Sequence, residues 1–107
     1  MIIRNKHRLS TTGLRKQALD IIEAGIARVL PPAIMKSAVR YDTARKILTV
    51  GDYAYNLSKG GLFVIGGGKA SALMAETLES IIKPENIADG VVTCNAKSSD
   101  YKTGKIK

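Results

Sequence analysis

One cysteine, one histidine, one phenylalanine and no tryptophan leave this chain short of the side chains on which many small folds and active sites depend. Cys94 alone can form no internal disulfide and no cysteine-rich zinc site, so nothing points to an oxidising compartment. Long apolar runs are also missing. The longest uncharged stretch near the middle, Gly60 to Gly68, falls far short of the roughly 20 apolar residues of a membrane span. Met1-Ile2-Ile3-Arg4-Asn5-Lys6-His7-Arg8 is basic but lacks the apolar core of a secretion signal. The expectation is a cytoplasmic chain with no membrane partner.

What the sequence has in excess is positive charge: 17 Lys+Arg against 9 Asp+Glu in 107 residues, a formal charge of +8. Such an excess invites nucleic acid, because clustered Lys and Arg displace counterions from phosphates. Its distribution argues otherwise. Arg4, Lys6, Arg8, Arg15 and Lys16 face no acid within residues 1–16, and Lys97, Lys102, Lys105 and Lys107 face only Asp100 within 97–107. Residues 17–96 carry eight charges of each sign. The body is neutral, the ends read as solvated, and no aromatic platform of the kind single-strand binders use stands beside them. Residues 1–13 read as a basic N-terminal tail, and the rest has the size of one domain, able to bury roughly 60–70% of its unfolded surface.

Leu14, Ala18, Ile21, Ile22, Gly25, Ile26, Val29 and Leu30 recur at the spacing of one helical face. Ser10, Thr11 or Thr12 can cap that helix, and Pro31-Pro32 ends it and can open a short second one to Ala38. Val39–Tyr41 and Lys46–Val50 read as strands around a polar turn, and the alternation changes parity at Gly51-Asp52 before a further extended segment, Tyr53–Leu57. Leu62-Phe63-Val64-Ile65 is continuously apolar, as suits a parallel strand covered on both faces. A helix over 69–82 follows, with Glu76 and Glu79 facing outward and Glu79 able to pair with Lys83. Pro84 closes it, and Gly90–Cys94 is a second buried-type strand. Strand, helix and strand make a right-handed βαβ unit.

The sharpest motif joins strand to helix: Ile65-Gly66-Gly67-Gly68-Lys69-Ala70-Ser71. Glycines there let backbone approach a ligand, and the unpaired amides of a helix start suit a phosphate or carboxylate. Lys69 stands where the helix dipole disfavours a cation by about 0.3–1 kcal/mol, a sign that a bound anion reverses. The motif is no Walker A loop, whose positions for an earlier glycine and a following Ser or Thr hold Phe63 and Ala70. It is also an imperfect dinucleotide fingerprint, with Ser71 in place of the third glycine. A tight turn serving helix–sheet packing, with Lys69 solvated, explains the same residues. Ser71 can bind the same anion or simply pack. His7 reads as solvated, Cys94 as a small buried hydrophobe, Met35 and Met74 as core filling, and Asp42, Asp52 and Asp89 as turn or loop residues.

The helix Arg15-Lys16-Gln17-Ala18-Leu19-Asp20 through Leu30-Pro31, the segment Val64-Ile65-Gly66-Gly67-Gly68-Lys69-Ala70-Ser71 continuing to Met74-Ala75, and Asp89-Gly90-Val91-Val92 together resemble the N-terminal part of the class II glycerate 2-kinases. These enzymes join a Rossmann-like domain to a C-terminal MOFRL domain. Their usual Gly-Ala-Gly-Lys-Ala has Gly67 in place of its alanine here. The resemblance implies an α/β, Rossmann-like fold: a mostly parallel sheet with flanking helices, a short antiparallel edge hairpin, and an incomplete domain over residues 14–107. It also implies transfer of the ATP γ-phosphoryl to D-glycerate to give 2-phosphoglycerate, with Mg2+. Lys69 is then the catalytic residue, and Gly66, Gly67, Gly68 and Ser71 bind substrate or phosphate. Family members are several hundred residues long, with a Gly-His-Pro-Val-Pro-Asp-like segment and a second domain. The expected partner is therefore the C-terminal domain of the same enzyme, and the 107 residues alone are expected to be inert. A hydroxypyruvate reductase-type enzyme and a small basic anion- or nucleic-acid-binding module are the competing readings.

Overall fold

Thr12 opens the first long helix: its Oγ1 accepts a hydrogen bond from the Arg15 amide at 3.2 Å, so of the three capping candidates the last is the one used. The computed structural model describes residues 2–95, 97 and 100–107. The helix, α2, spans Gly13–Val29 and follows a single turn, α1, at Lys6–Leu9. Leu30 is extended, as a residue before proline must be, and Pro31 starts α3, Pro31–Ala38. Thr12→Ala is expected to cost about 1 kcal/mol of α2 stability, read as lost helicity on thermal melting.

The basic start of the chain is not simply solvated. Lys6 Nζ lies 2.6 Å from Asp20 Oδ1 and 2.5 Å from Glu23 Oε2, and the Ile2 amide donates to Glu23 Oε1 at 2.7 Å. The Asp20 and Glu23 hydrogen bonds hold the Lys6 ammonium above its ordinary value, and Lys6 holds both carboxyls below theirs.

Strands β1 (Val39–Asp42), β2 (Ile47–Val50) and β3 (Tyr53–Asn56) form an antiparallel sheet in that order. Val50 pairs with Tyr53, so Gly51-Asp52 is a two-residue turn with Gly51 at φ +59°, and the parity change in the sequence is the hairpin's reversal. Asp42 Oδ1 accepts from the Arg45 amide at 3.1 Å in the turn before β2. These strands make a sheet of their own instead of an edge to the parallel one.

The parallel sheet is built by β4 (Phe63–Gly67), α4 (Ser71–Ile82) and β5 (Asp89–Thr93), paired in register from Phe63↔Asp89 to Gly67↔Thr93. A parallel bridge lies beside β5: Ile106 bridges Gly90, the Lys107 amide donates to Gly90 O at 3.0 Å, and the Val92 amide donates to Lys107 O at 2.7 Å. Leu48, Ala75, Ile82, Ile87 and Ile106 form the buried core, with Val64, Leu78, Ile81 and Val92 packed against it. The architecture is thus α/β, with a parallel unit, an antiparallel sheet and flanking helices.

Two expectations are corrected. The strands β4 and β5 are not covered on both faces: Val64 and Val92 turn toward the core, whereas Phe63, Ile65 and Val91 are 70%, 84% and 52% exposed. Alternate side chains of a strand leave by opposite faces, and the described residues pack on one of them. Glu79 does not face outward toward Lys83 but is only 6% exposed. Its carboxylate accepts from three consecutive amides, Gly104 at 2.5 Å and Lys105 and Ile106 at 2.7 Å each, and so seats the segment that bridges β5. Among the described residues, no helix is long and apolar enough to cross a membrane.

Candidate functional site

The glycine motif lies where the sequence places it, at the C-terminal end of β4, but the helix begins two residues later than expected. Gly66 and Gly67 complete the strand, Gly68, Lys69 and Ala70 form the turn, and α4 starts at Ser71. Two different constraints act on the glycines. A Cβ on Gly66 would stand 3.2 Å from Val92 Cγ1, and one on Gly67 would stand 3.2 Å from Thr93 Oγ1, so a side chain at either position would crowd the neighbouring side chain of β5. Gly68 has open space around it but a φ of +114°, a conformation L side chains rarely adopt.

The turn is held to the end of β5 through one carbonyl. Thr93 O accepts from the Gly68 amide at 3.0 Å and lies 2.7 Å from Ser71 Oγ, which is also 2.7 Å from Gly68 O. The amides of Lys69, Ala70, Ala72 and Leu73 have no acceptor among the described residues. Lys69 is exposed beside them. Four unpaired donors and a cation at one helix start create a positive potential suited to a carboxylate or phosphate.

Beside this turn a groove of about 190 Å³ runs along β4, lined by Met35, Met74, Leu78, Val64, Gly66 and Val92 among others. Met35 and Met74 thus border a groove instead of filling a sealed core. Of the other chemistry-bearing residues, only Cys94, next to Thr93, lies beside the turn in the chain. Asp89 Oδ1 accepts from the next amide, Gly90, at 2.8 Å, His7 lies in α1, and Cys94 is half-buried just beyond β5. No group of three or more His, Cys, Asp or Glu side chains that could hold a metal forms among the described residues. An ATP phosphate or a substrate carboxylate fits the donor set at the turn, which consists of N–H groups and an ammonium. Mg2+ does not fit it, because hard cations take oxygen ligands.

A strand, a glycine turn carrying a lysine, a helix and a parallel strand define an α/β domain with a candidate anion site at the strand ends. The chain belongs to the family described as "Domain of unknown function (DUF4147)", whose model matches residues 17–107. That family is the N-terminal domain found in glycerate 2-kinase proteins of the MOFRL family. Among solved structures, the PH0495 protein from Pyrococcus horikoshii OT3 superposes with a TM-score of 0.66 at 24% identity over 91% of this chain, a likeness of fold. The chain spans about a fifth, 21%, of that protein's length. No curated protein matches the chain.

Proposed function

We propose that this domain supplies the anion-binding turn and the active-site lysine of a glycerate 2-kinase, which moves the ATP γ-phosphoryl to the 2-hydroxyl of D-glycerate and releases 2-phosphoglycerate, ADP and the hydroxyl proton. The observation that carries this reading is the exposed Lys69 beside four amides that have no acceptor among the described residues, at the C-terminal end of β4. Phosphoryl transfer needs positioning and neutralisation of charge on the moving oxygens more than covalent help from the protein. The turn amides suit a fixed anionic group, a phosphate or the glycerate carboxylate. The Lys69 ammonium, on a four-carbon stem, suits charge that develops as the phosphoryl moves. Membership of the family and the lysine's place after the glycine turn support the assignment. Mg2+ would neutralise phosphate charge in such a reaction, and its ligands are proposed to come from the remainder of the enzyme. The C-terminal domain is accordingly proposed as the partner that completes the site.

The test is glycerate- and ATP-dependent formation of 2-phosphoglycerate by the enzyme that contains this domain. Lys69→Ala is expected to lower turnover at least about tenfold, the effect of about 1.4 kcal/mol of lost transition-state stabilisation. Unchanged turnover removes Lys69 from the chemistry. NADH consumption with hydroxypyruvate, in place of ATP use, replaces the kinase reading by the reductase one.

A further inference from the structure

We propose that Ser71 is the positioning residue of the glycine turn and not one of its anion ligands, an assignment that rests on the anion-binding reading above. Ser71 is only 7% exposed, and its Oγ lies 2.7 Å from both Gly68 O and Thr93 O. A serine hydroxyl has one proton to donate, and two carbonyls already share it. None is left for an anion.

What the hydroxyl does instead follows from the planarity of the peptide bond. The Gly68 carbonyl and the Lys69 amide belong to one trans peptide unit, with C=O and N–H pointing in opposite directions. Drawing Gly68 O inward to Ser71 Oγ therefore turns the Lys69 N–H outward, toward the open side of the turn. Gly68 at φ +114° has no side chain to hold this orientation; the Ser71 amide, which donates to Gly68 O at 3.2 Å, holds the carbonyl to the helix start, and the bonds to Thr93 O from the Gly68 amide and from Ser71 Oγ tie the turn to β5. Ser71 aims the lysine's amide, and the end of β5 anchors the aim.

Two measurements on the 107-residue chain separate positioning from ligation. In Ser71→Ala, amide hydrogen exchange at Gly68 is expected to accelerate by about tenfold or more. The affinity for inorganic phosphate, read from the shift of the Lys69 amide resonance, is expected to fall by a similar factor. Ser71→Thr, which keeps the hydroxyl, should restore both. Unchanged exchange at Leu78 and Ile82 shows that α4 is intact. If alanine unfolds the chain, Ser71→Cys offers similar volume with a weaker donor and the same comparison. Weakened phosphate binding with unaltered Gly68 exchange makes Ser71 a ligand and overturns the proposal, as does no change in either. If phosphate leaves the wild-type Lys69 resonance unmoved, the anion reading fails, and Gly68 exchange alone then decides whether Ser71 holds the turn.

Discussion

Glu79→Ala is expected to destabilise the parallel unit by about 3–5 kcal/mol: three hydrogen bonds to a charged acceptor, worth about 1.5–3 kcal/mol each, are lost together, and water reaching the exposed Gly104 and Lys105 amides offsets part of that loss. Native domains are stable by only about 5–15 kcal/mol, so a large share of the fold hangs on this carboxylate. The bonds come from Gly104, Lys105 and Ile106, and the Ile106 amide is itself buried. Alanine leaves the buried Ile106 amide without its acceptor, while water can reach the amides of the exposed Gly104 and Lys105. Glu79→Gln keeps the shape but loses the charge and turns an N–H2 toward the amides, and should fall between wild type and alanine. Urea unfolding measures both, and a loss below about 1 kcal/mol for alanine contradicts the clamp. The pH dependence follows from the same contacts. Burial pushes the Glu79 carboxyl up, the amides of Ile106, Gly104 and Lys105 pull it down, and the balance lies below the ordinary value of 4.5. A carboxyl lowered on folding stabilises fully above its unfolded value and loses that contribution as pH falls through the folded one. The segment 104–107 that bridges β5 should therefore be among the first parts to loosen in acid, and Glu79→Gln should flatten that dependence.

Gly90→Val is expected to cost about 3 kcal/mol, the upper end for overpacking. A Cβ at this position would lie 3.0 Å from Val64 O, 3.0 Å from Ile106 Cγ1 and 3.2 Å from Val64 Cβ. The first of these is backbone of the neighbouring strand, which cannot swing aside as a side chain can. The valine must push β4 from β5 or expel Ile106 from the core. Urea unfolding reads the stability, and amide exchange at Lys107, which donates to Gly90 O, reads the displaced strand. Gly90→Ala meets the same three atoms and should lose somewhat less.

How far the sequence carries differs from element to element. The βαβ unit was legible because its signals are local: an apolar run, a glycine turn, a helical stripe from Leu73 to Ile82 and a closing Pro84. The hairpin was legible through its parity change. Glu79 was not, because its three partners lie 25 to 27 residues away and helical spacing alone sends it to solvent beside Lys83. The bare face of Phe63, Ile65 and Val91 escaped for a related reason: composition tells what a strand can bury, not what arrives to bury it. At the turn, the lysine and glycines follow from the motif. The division of labour between them and Ser71 needed the positions of two carbonyl oxygens.

Helix α2 rests on α1 and α3, the molecule extends 58 Å along its longest axis, and its radius of gyration is 17.4 Å against about 13 Å for a compact chain of this length. So little shared surface ties α2 to the βαβ core that opening one need not open the other. A denaturation curve followed by helicity and one followed by the core are therefore expected to part company, the sparsely packed α2 opening first.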